Sequence, residues 1–93
     1  MSSVRVTIFF HIGDSIGLMP QPLSENQKEE LKALGARIKA IREKKGMTLQ
    51  EVAHTIGKDR QSIHRLEKGD FNPSYIYLLD VCRGLGISIV DLI

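Results

Sequence analysis

The chain has one cysteine and no tryptophan, and aromatic side chains make up only 5% of its 93 residues. With Cys82 alone, no intrachain disulfide can form, which fits a reducing compartment and a core that holds without a covalent staple. A lone thiol on an apolar helix face acts as a small hydrophobe, so Cys82 is expected in the core and not at a reactive site. Long apolar runs are missing too. Ile8-Phe9-Phe10 is interrupted by His11 and followed by Gly13 and Asp14, far short of the ~20 residues that a membrane helix needs. The first residues contain one Arg but no sustained apolar stretch and no small-residue cleavage site, so a signal peptide is not expected and a cytoplasmic location is. Catalytic constellations are also absent. His11, His54 and His64 have no cysteines or paired carboxylates at metal-ligand spacing, so no metal is expected. Neither a glycine-rich phosphate loop nor a nucleophile elbow occurs. The expectation is a protein that is not an enzyme and carries no cofactor.

What is present suits one small domain. Apolar residues form 42% of the chain, in the globular range, and the length allows one compact core of Leu, Ile, Val and Ala. The net charge of +2 conceals an uneven distribution. Residues 37–68 hold nine bases against four acids, a net +5, and the rest of the chain carries −3. A concentrated positive charge suits a surface that faces phosphates, although charge alone does not separate that surface from a solvated helix face.

Residues 4–12 alternate Val4, Val6, Ile8, Phe10 and Ile12 with Arg5, Thr7, Phe9 and His11, the period of a β-strand. Gly17, Pro20 and Pro22 then mark a linker, so residues 1–23 form an extension and residues 24–93 the main domain. A first helix is predicted over about 25–45, with Ser24 and Gln27 as a capping box and Leu31, Leu34, Ile38 and Ile41 as its apolar stripe. Gly35 in its interior should cost about 1 kcal/mol relative to Ala. A second helix, about 49–56, is capped by Thr48 with Glu51, buries Val52, Ala53 and Ile56, and stops at Gly57. A third, 60–68, starts from Asp59 and ends at Gly69. Asn72-Pro73-Ser74 caps a fourth, 75–85, whose inward face is read as Tyr75, Leu78, Leu79, Cys82 and Leu85. Ser88 caps a last short helix anchored by Leu92 and Ile93.

The second and third helices, joined by a tight turn at Gly57, form a helix-turn-helix candidate. The third offers only Ile63 and Leu66 to a core. Its remaining surface is Arg60, Gln61, Ser62, His64, Arg65 and Lys68. The major groove of DNA admits such a helix, where Arg suits the edge of guanine and Gln the edge of adenine.

Residues 34–93 resemble the phage Cro and repressor type of helix-turn-helix, the XRE family. The resemblance rests on Leu34-Gly35, Ile38, Ile41-Arg42, Gly46-Met47-Thr48, Val52-Ala53, Ile56-Gly57, Ser62-Ile63, Leu66-Glu67, Gly69, Asn72-Pro73-Ser74, Leu78-Leu79 and Leu85-Gly86-Ile87. It implies an all-α, five-helix, lambda-repressor-like DNA-binding domain, here with a short N-terminal β-strand extension. It also implies roles for single residues. Arg60, Gln61 and Arg65 would read bases, with Ser62 and His64 at the margin of that contact. Thr48 and Lys68 would contact phosphates. Ala53 would let the two motif helices cross closely, and Gly57 would take the positive φ of the turn. Ile63 and Leu66 would anchor the recognition helix. Arg42 and Glu67 match a pair that forms a partly buried salt bridge in some relatives. The implied activity is transcriptional regulation, as a repressor that binds a double-stranded DNA operator as a homodimer.

Three departures qualify the resemblance. Leu49 stands where many relatives have a phosphate-contacting Gln, with Gln50 one residue on. Ile76 and Tyr77 replace residues that are usually polar on the fourth helix, which suits either a dimer surface or the scattered apolar exposure common on any protein. Residues 1–23 have no counterpart. Since an isolated strand is not stable in water, three readings of residues 4–12 remain: pairing with a second subunit or a partner protein, disorder, or a domain that starts at Met19. The alternative function is an antitoxin or bridging module that acts through protein contact, at residues 4–12 or at the fourth helix.

Overall fold

The computed structural model describes residues 22–93. Four α-helices follow one another: α1 (Glu25–Lys44), α2 (Leu49–Thr55), α3 (Arg60–Lys68) and α4 (Tyr75–Leu85). A single 3-10 turn, η1 (Ile89–Asp91), closes the chain. The fold is all-helical among the described residues. The predicted strand at 4–12, and the extension up to residue 21, lie outside them.

Each α-helix begins where a side chain can satisfy a backbone donor that the helix itself leaves unpaired. Ser24 and Gln27 exchange hydrogen bonds at 3.1 and 2.9 Å, and Thr48 and Glu51 do so at 3.0 and 2.8 Å. Both are capping boxes. Asp59 accepts from the Ser62 amide at 2.7 Å, and Ser74 accepts from the Tyr77 amide at 3.1 Å.

The fifth helix expected after Ser88 is only the one turn of η1. Asp91 N donates to Ser88 O and Leu92 N to Ile89 O, both at 3.0 Å. These bonds span three residues, the pattern of a 3-10 turn and not of an α-helix. Leu92 is nevertheless fully buried, and the Arg37 side chain of α1 donates to its carbonyl at 2.6 Å.

The core is Ile38, Val52, Ala53, Ile63, Leu66, Val81, Cys82, Leu85 and Leu92. Cys82 sits within it, and burial pushes its thiol pKa up. Helix α3 packs against both α1 and α2, and α2 packs against α4. The inward face of α4 keeps Leu78, Cys82 and Leu85 of the expected one, and differs at Tyr75, Tyr77 and Val81. Tyr75, read as buried, is 63% exposed, while Val81 is fully buried and Tyr77 packs against the core. Tyr75 is the first residue after the Ser74 cap, at the end of the helix, and the stripe that faces the neighbours is Leu78, Val81, Cys82 and Leu85.

Gly35 gains a reason that periodicity did not supply. A Cβ at this position would lie 2.4 Å from the Glu67 carbonyl oxygen and 2.5 Å from that of Leu66. Helix α1 therefore meets the end of α3 backbone to backbone. The loss of helix propensity at Gly35 is the cost of a close crossing that locates α3.

Candidate nucleic-acid interface

Helices α2 and α3 are joined by Ile56–Asp59. Gly57 there has φ +69°, a left-handed conformation that strains a residue with a Cβ. Lys58 N returns to Ala53 O at 2.9 Å and closes the turn. Ala53 is fully buried in the core, so the two helices approach where only a methyl group intervenes.

The outer surface of α3 follows from what holds its inner one. Ile63 and Leu66 are at most 1% exposed, and Glu67 is buried beside them. With those three positions facing inward, Arg60, Gln61, Arg65 and Lys68 are exposed, and Ser62 and His64 are half-buried at the edges. Arg60 and Gln61 lie on the first turn, immediately after Asp59. The bond from the Ser62 amide holds the Asp59 carboxyl below its usual range. Thr48 is exposed at the start of α2, with its side chain engaged in the capping box. Lys68 is exposed at the end of α3, with its ammonium 3.7 Å from Asp70. Leu49 is half-buried and packs against the core.

Behind the helix, Arg42 of α1 forms a two-pronged pair with Glu67. Its Nε donates to Oε2 at 2.6 Å, and its second guanidinium nitrogen donates to Oε1 at 3.1 Å. The third nitrogen donates to the Met47 carbonyl at 2.8 Å. The side chains are 11% and 3% exposed. Hydrogen bonding to Glu67 raises the Arg42 pKa further, so the guanidinium stays charged. Such planar, two-bond pairing fixes orientation as well as distance. Here it locks α3 onto α1 on the face turned away from Arg65.

A second row of side chains was not singled out from sequence. Phe71, in the loop after α3, meets Tyr77 of α4 edge-on, with ring centroids 4.9 Å apart at 71°. The Arg65 guanidinium carbon lies 5.8 Å from the Phe71 centroid. At the other end, Lys58 Nζ lies 5.2 Å from the Tyr77 centroid. The Tyr77 hydroxyl is buried with no hydrogen-bond partner among the described residues, and burial raises its pKa. From sequence, Arg65 stands out as a base reader and Tyr77 as an unusual apolar residue of the fourth helix, but nothing there links them to each other, to Phe71 or to Lys58. The four residues are brought together by tertiary structure.

Among the described residues, no group of three or more His, Cys, Asp and Glu side chains is placed to hold a metal ion. No helix there is long and apolar enough to cross a membrane.

Comparison with known proteins adds three kinds of likeness. A family model described as helix-turn-helix matches residues 38–92. The HTH-type transcriptional regulator y4dJ of Sinorhizobium fredii is 36% identical over 62 residues, covering 67% of this chain and 80% of that protein. Among solved structures, the restriction-modification controller protein C.AhdI from Aeromonas hydrophila superposes with a TM-score of 0.68 at 28% identity, over 70% of this chain and 98% of that one. The clp gene regulator ClgR from Corynebacterium glutamicum superposes with a TM-score of 0.65 at 34% identity, over 78% of this chain and 86% of that one.

Proposed function

The chain belongs to the helix-turn-helix family, in its Cro and repressor (XRE) branch of DNA-binding transcriptional regulators, and from that premise we propose that it is a repressor that reads a DNA operator as a twofold dimer. The observation that carries this reading is the division of α3. Three positions are held inside, Gln61 and Arg65 are exposed on the opposite face, and Arg60 is exposed at the helix start. In the proposed complex α3 enters the major groove. Arg60 and Arg65 donate to guanine edges, and Gln61 pairs with an adenine edge. Ser62 and His64 border the contact. Thr48 and Lys68 approach backbone phosphates, which set register without carrying sequence information. The DNA-binding unit is residues 24–93, acting in the cytoplasm without a cofactor or catalytic step. A twofold dimer places two copies of α3 about 34 Å apart, so the operator is a near-palindrome of two half-sites.

The test is selection of binding sites from randomised duplex DNA at two salt concentrations, with the wild-type chain and with Gln61→Ala. Enrichment of a two-half-site palindrome, relaxed at one position per half-site by the substitution, is the expected result. Weak binding that vanishes with salt and enriches no sequence would mean phosphate attraction alone, and operator reading would be abandoned.

A second reading has one observation in its favour. Tyr75 and Ile76 are each 63% exposed at the start of α4, on a helix that contributes nothing to the groove-facing surface in this scheme. That apolar pair suits protein contact, as the homodimer surface or as the docking face of an antitoxin or bridging module. Tyr75→Ser combined with Ile76→Ser separates the two: loss of the dimer together with loss of operator binding assigns the pair to self-association.

A further inference from the structure

Lys58, Tyr77, Phe71 and Arg65 form one row of alternating character, with a cation at each end and two aromatic rings between. The rings come from the loop after α3 and from α4. The cations come from the turn before α3 and from its second half. The row thus joins both ends of α3 to residues that lie outside the helix-turn-helix itself. Arg65 has a further tether, since its guanidinium reaches to 3.4 Å from the Asp70 carbonyl oxygen. Arg65 is exposed, and Lys58, Tyr77 and Phe71 are half-buried. The rings are therefore fixed by packing, and the cations lie over them at the protein surface.

We infer that Phe71 and Tyr77 are positioning residues of the DNA-reading surface, and that they hold Arg65 and Lys58 in place before DNA arrives. The inference rests on the proposed reading of α3 as the groove-facing helix and extends it to two residues that touch no DNA. The physical basis is the attraction of a cation to the negative face of an aromatic ring. A free arginine must surrender its rotamer freedom to make a base contact, whereas one already held against a ring surrenders less. Phe71 serves Arg65, and through it the choice of base. Tyr77 serves Lys58, which is thereby assigned as a contact to backbone phosphate at the start of the recognition helix.

The experiment uses the full chain and the duplex enriched by selection, with thermal unfolding of each variant as the check on folding. Phe71→Leu is expected to weaken binding two- to five-fold, about 0.5–1 kcal/mol, and to relax preference at the base that Arg65→Met also relaxes. Phe71→Tyr, which keeps a ring, is expected to restore both. Tyr77→Leu is expected to weaken binding by a similar factor, and Tyr77→Phe to leave it unchanged. Lys58→Met should lower the slope of log affinity against log salt by about 0.9 per protomer. A merely structural role would shift the melting temperature without altering base preference. If Arg65→Met relaxes a base and a folded Phe71→Leu relaxes none, the positioning role is overturned and the reading of α3 stands. If Arg65→Met relaxes nothing, the proposed base-reading role of Arg65 falls, and the inference with it. A measurement on the unaltered chain covers variants that do not fold: without DNA, the Arg65 Nε–H should show higher NMR order than that of Arg60. Equal, low order at both would overturn the inference.

Discussion

Glu67 and Arg65 stand two positions apart on α3, and the two sides of the helix they occupy put charge to opposite use. On the inner side, Arg42 and Glu67 are mostly buried and bound to one another by two hydrogen bonds. On the outer side, Arg60 and Arg65 are exposed. A buried pair is costly to split, because the partner left behind is a poorly solvated charge, here an Arg42 that keeps only Glu43 at 4.0 Å as a counter-charge. An exposed cation is solvated and contributes little to folding. One helix thus separates the charges that hold it in place from those exposed to meet a ligand. The lesson is that a count of basic residues says little until the buried ones are set aside, and Arg42 is one of them.

The largest break in that contrast is Glu67→Ala. It should remove about 3–5 kcal/mol of stability, a large part of the total for a domain of this size, as read by urea unfolding. Replacing Arg42 and Glu67 together by Met and Leu should cost far less, since no charge is stranded. Gly35→Ala comes next. Its methyl group would enter the space of the Glu67 and Leu66 carbonyls, and overpacking of this kind costs about 1–3 kcal/mol. An ordinary helix glycine would instead gain stability from the same change, so the sign of the effect in thermal unfolding decides whether the crossing fixes α3. On the outer side, Arg60→Ala should leave unfolding within about 0.5 kcal/mol of wild type, yet lose about 1–3 kcal/mol of discrimination at one base, measured by competition between duplexes.

The smallest effect concerns the Asp59 cap. Its carboxyl is held below the ordinary value of 3.8 in the folded chain. The contribution of its charge is therefore present above the unfolded pKa and is lost as pH falls through the lower, folded value. Asp59→Asn keeps an oxygen to accept from the Ser62 amide but cannot ionise. Wild type should exceed this variant in melting temperature at neutral pH, and the difference should vanish in acid below the carboxylate range.

Much of this architecture is legible in the amino-acid sequence because it depends on residues three or four apart. The capping pairs Ser24 with Gln27 and Thr48 with Glu51, the Asp59 cap and the limits of α3 and α4 all lie where local chemistry places them. The outward character of α3 is equally plain, since only Ile63 and Leu66 offer it an apolar anchor. Features that depend on remote partners are not legible. Gly35 reads as a local penalty until the carbonyls of α3 are seen against it. Tyr75 and Tyr77 are alike by composition, and only the rotation of α4 against its neighbours puts one outside and the other in. The last turn reads as a helix from Ser88 and the anchors Leu92 and Ile93, yet the Ser88 side chain accepts no cap bond, Ile93 is exposed and the turn is 3-10. The row from Lys58 to Arg65 draws on a turn, a loop and two helices, and no spacing rule connects them.

The hydrogen bond from Arg37 to the Leu92 carbonyl joins positions 55 residues apart. Chain segments near an end ordinarily open first, in small fluctuations that leave the rest of the fold intact. Here Leu92 of the 3-10 turn is fully buried and its carbonyl is tied to the middle of α1, so opening the turn breaks a contact with the first helix. Native-state hydrogen exchange should then find the amide of Leu92 opening with the same cooperative unit as Ile38, making the beginning and the end of the helical array a single foldon.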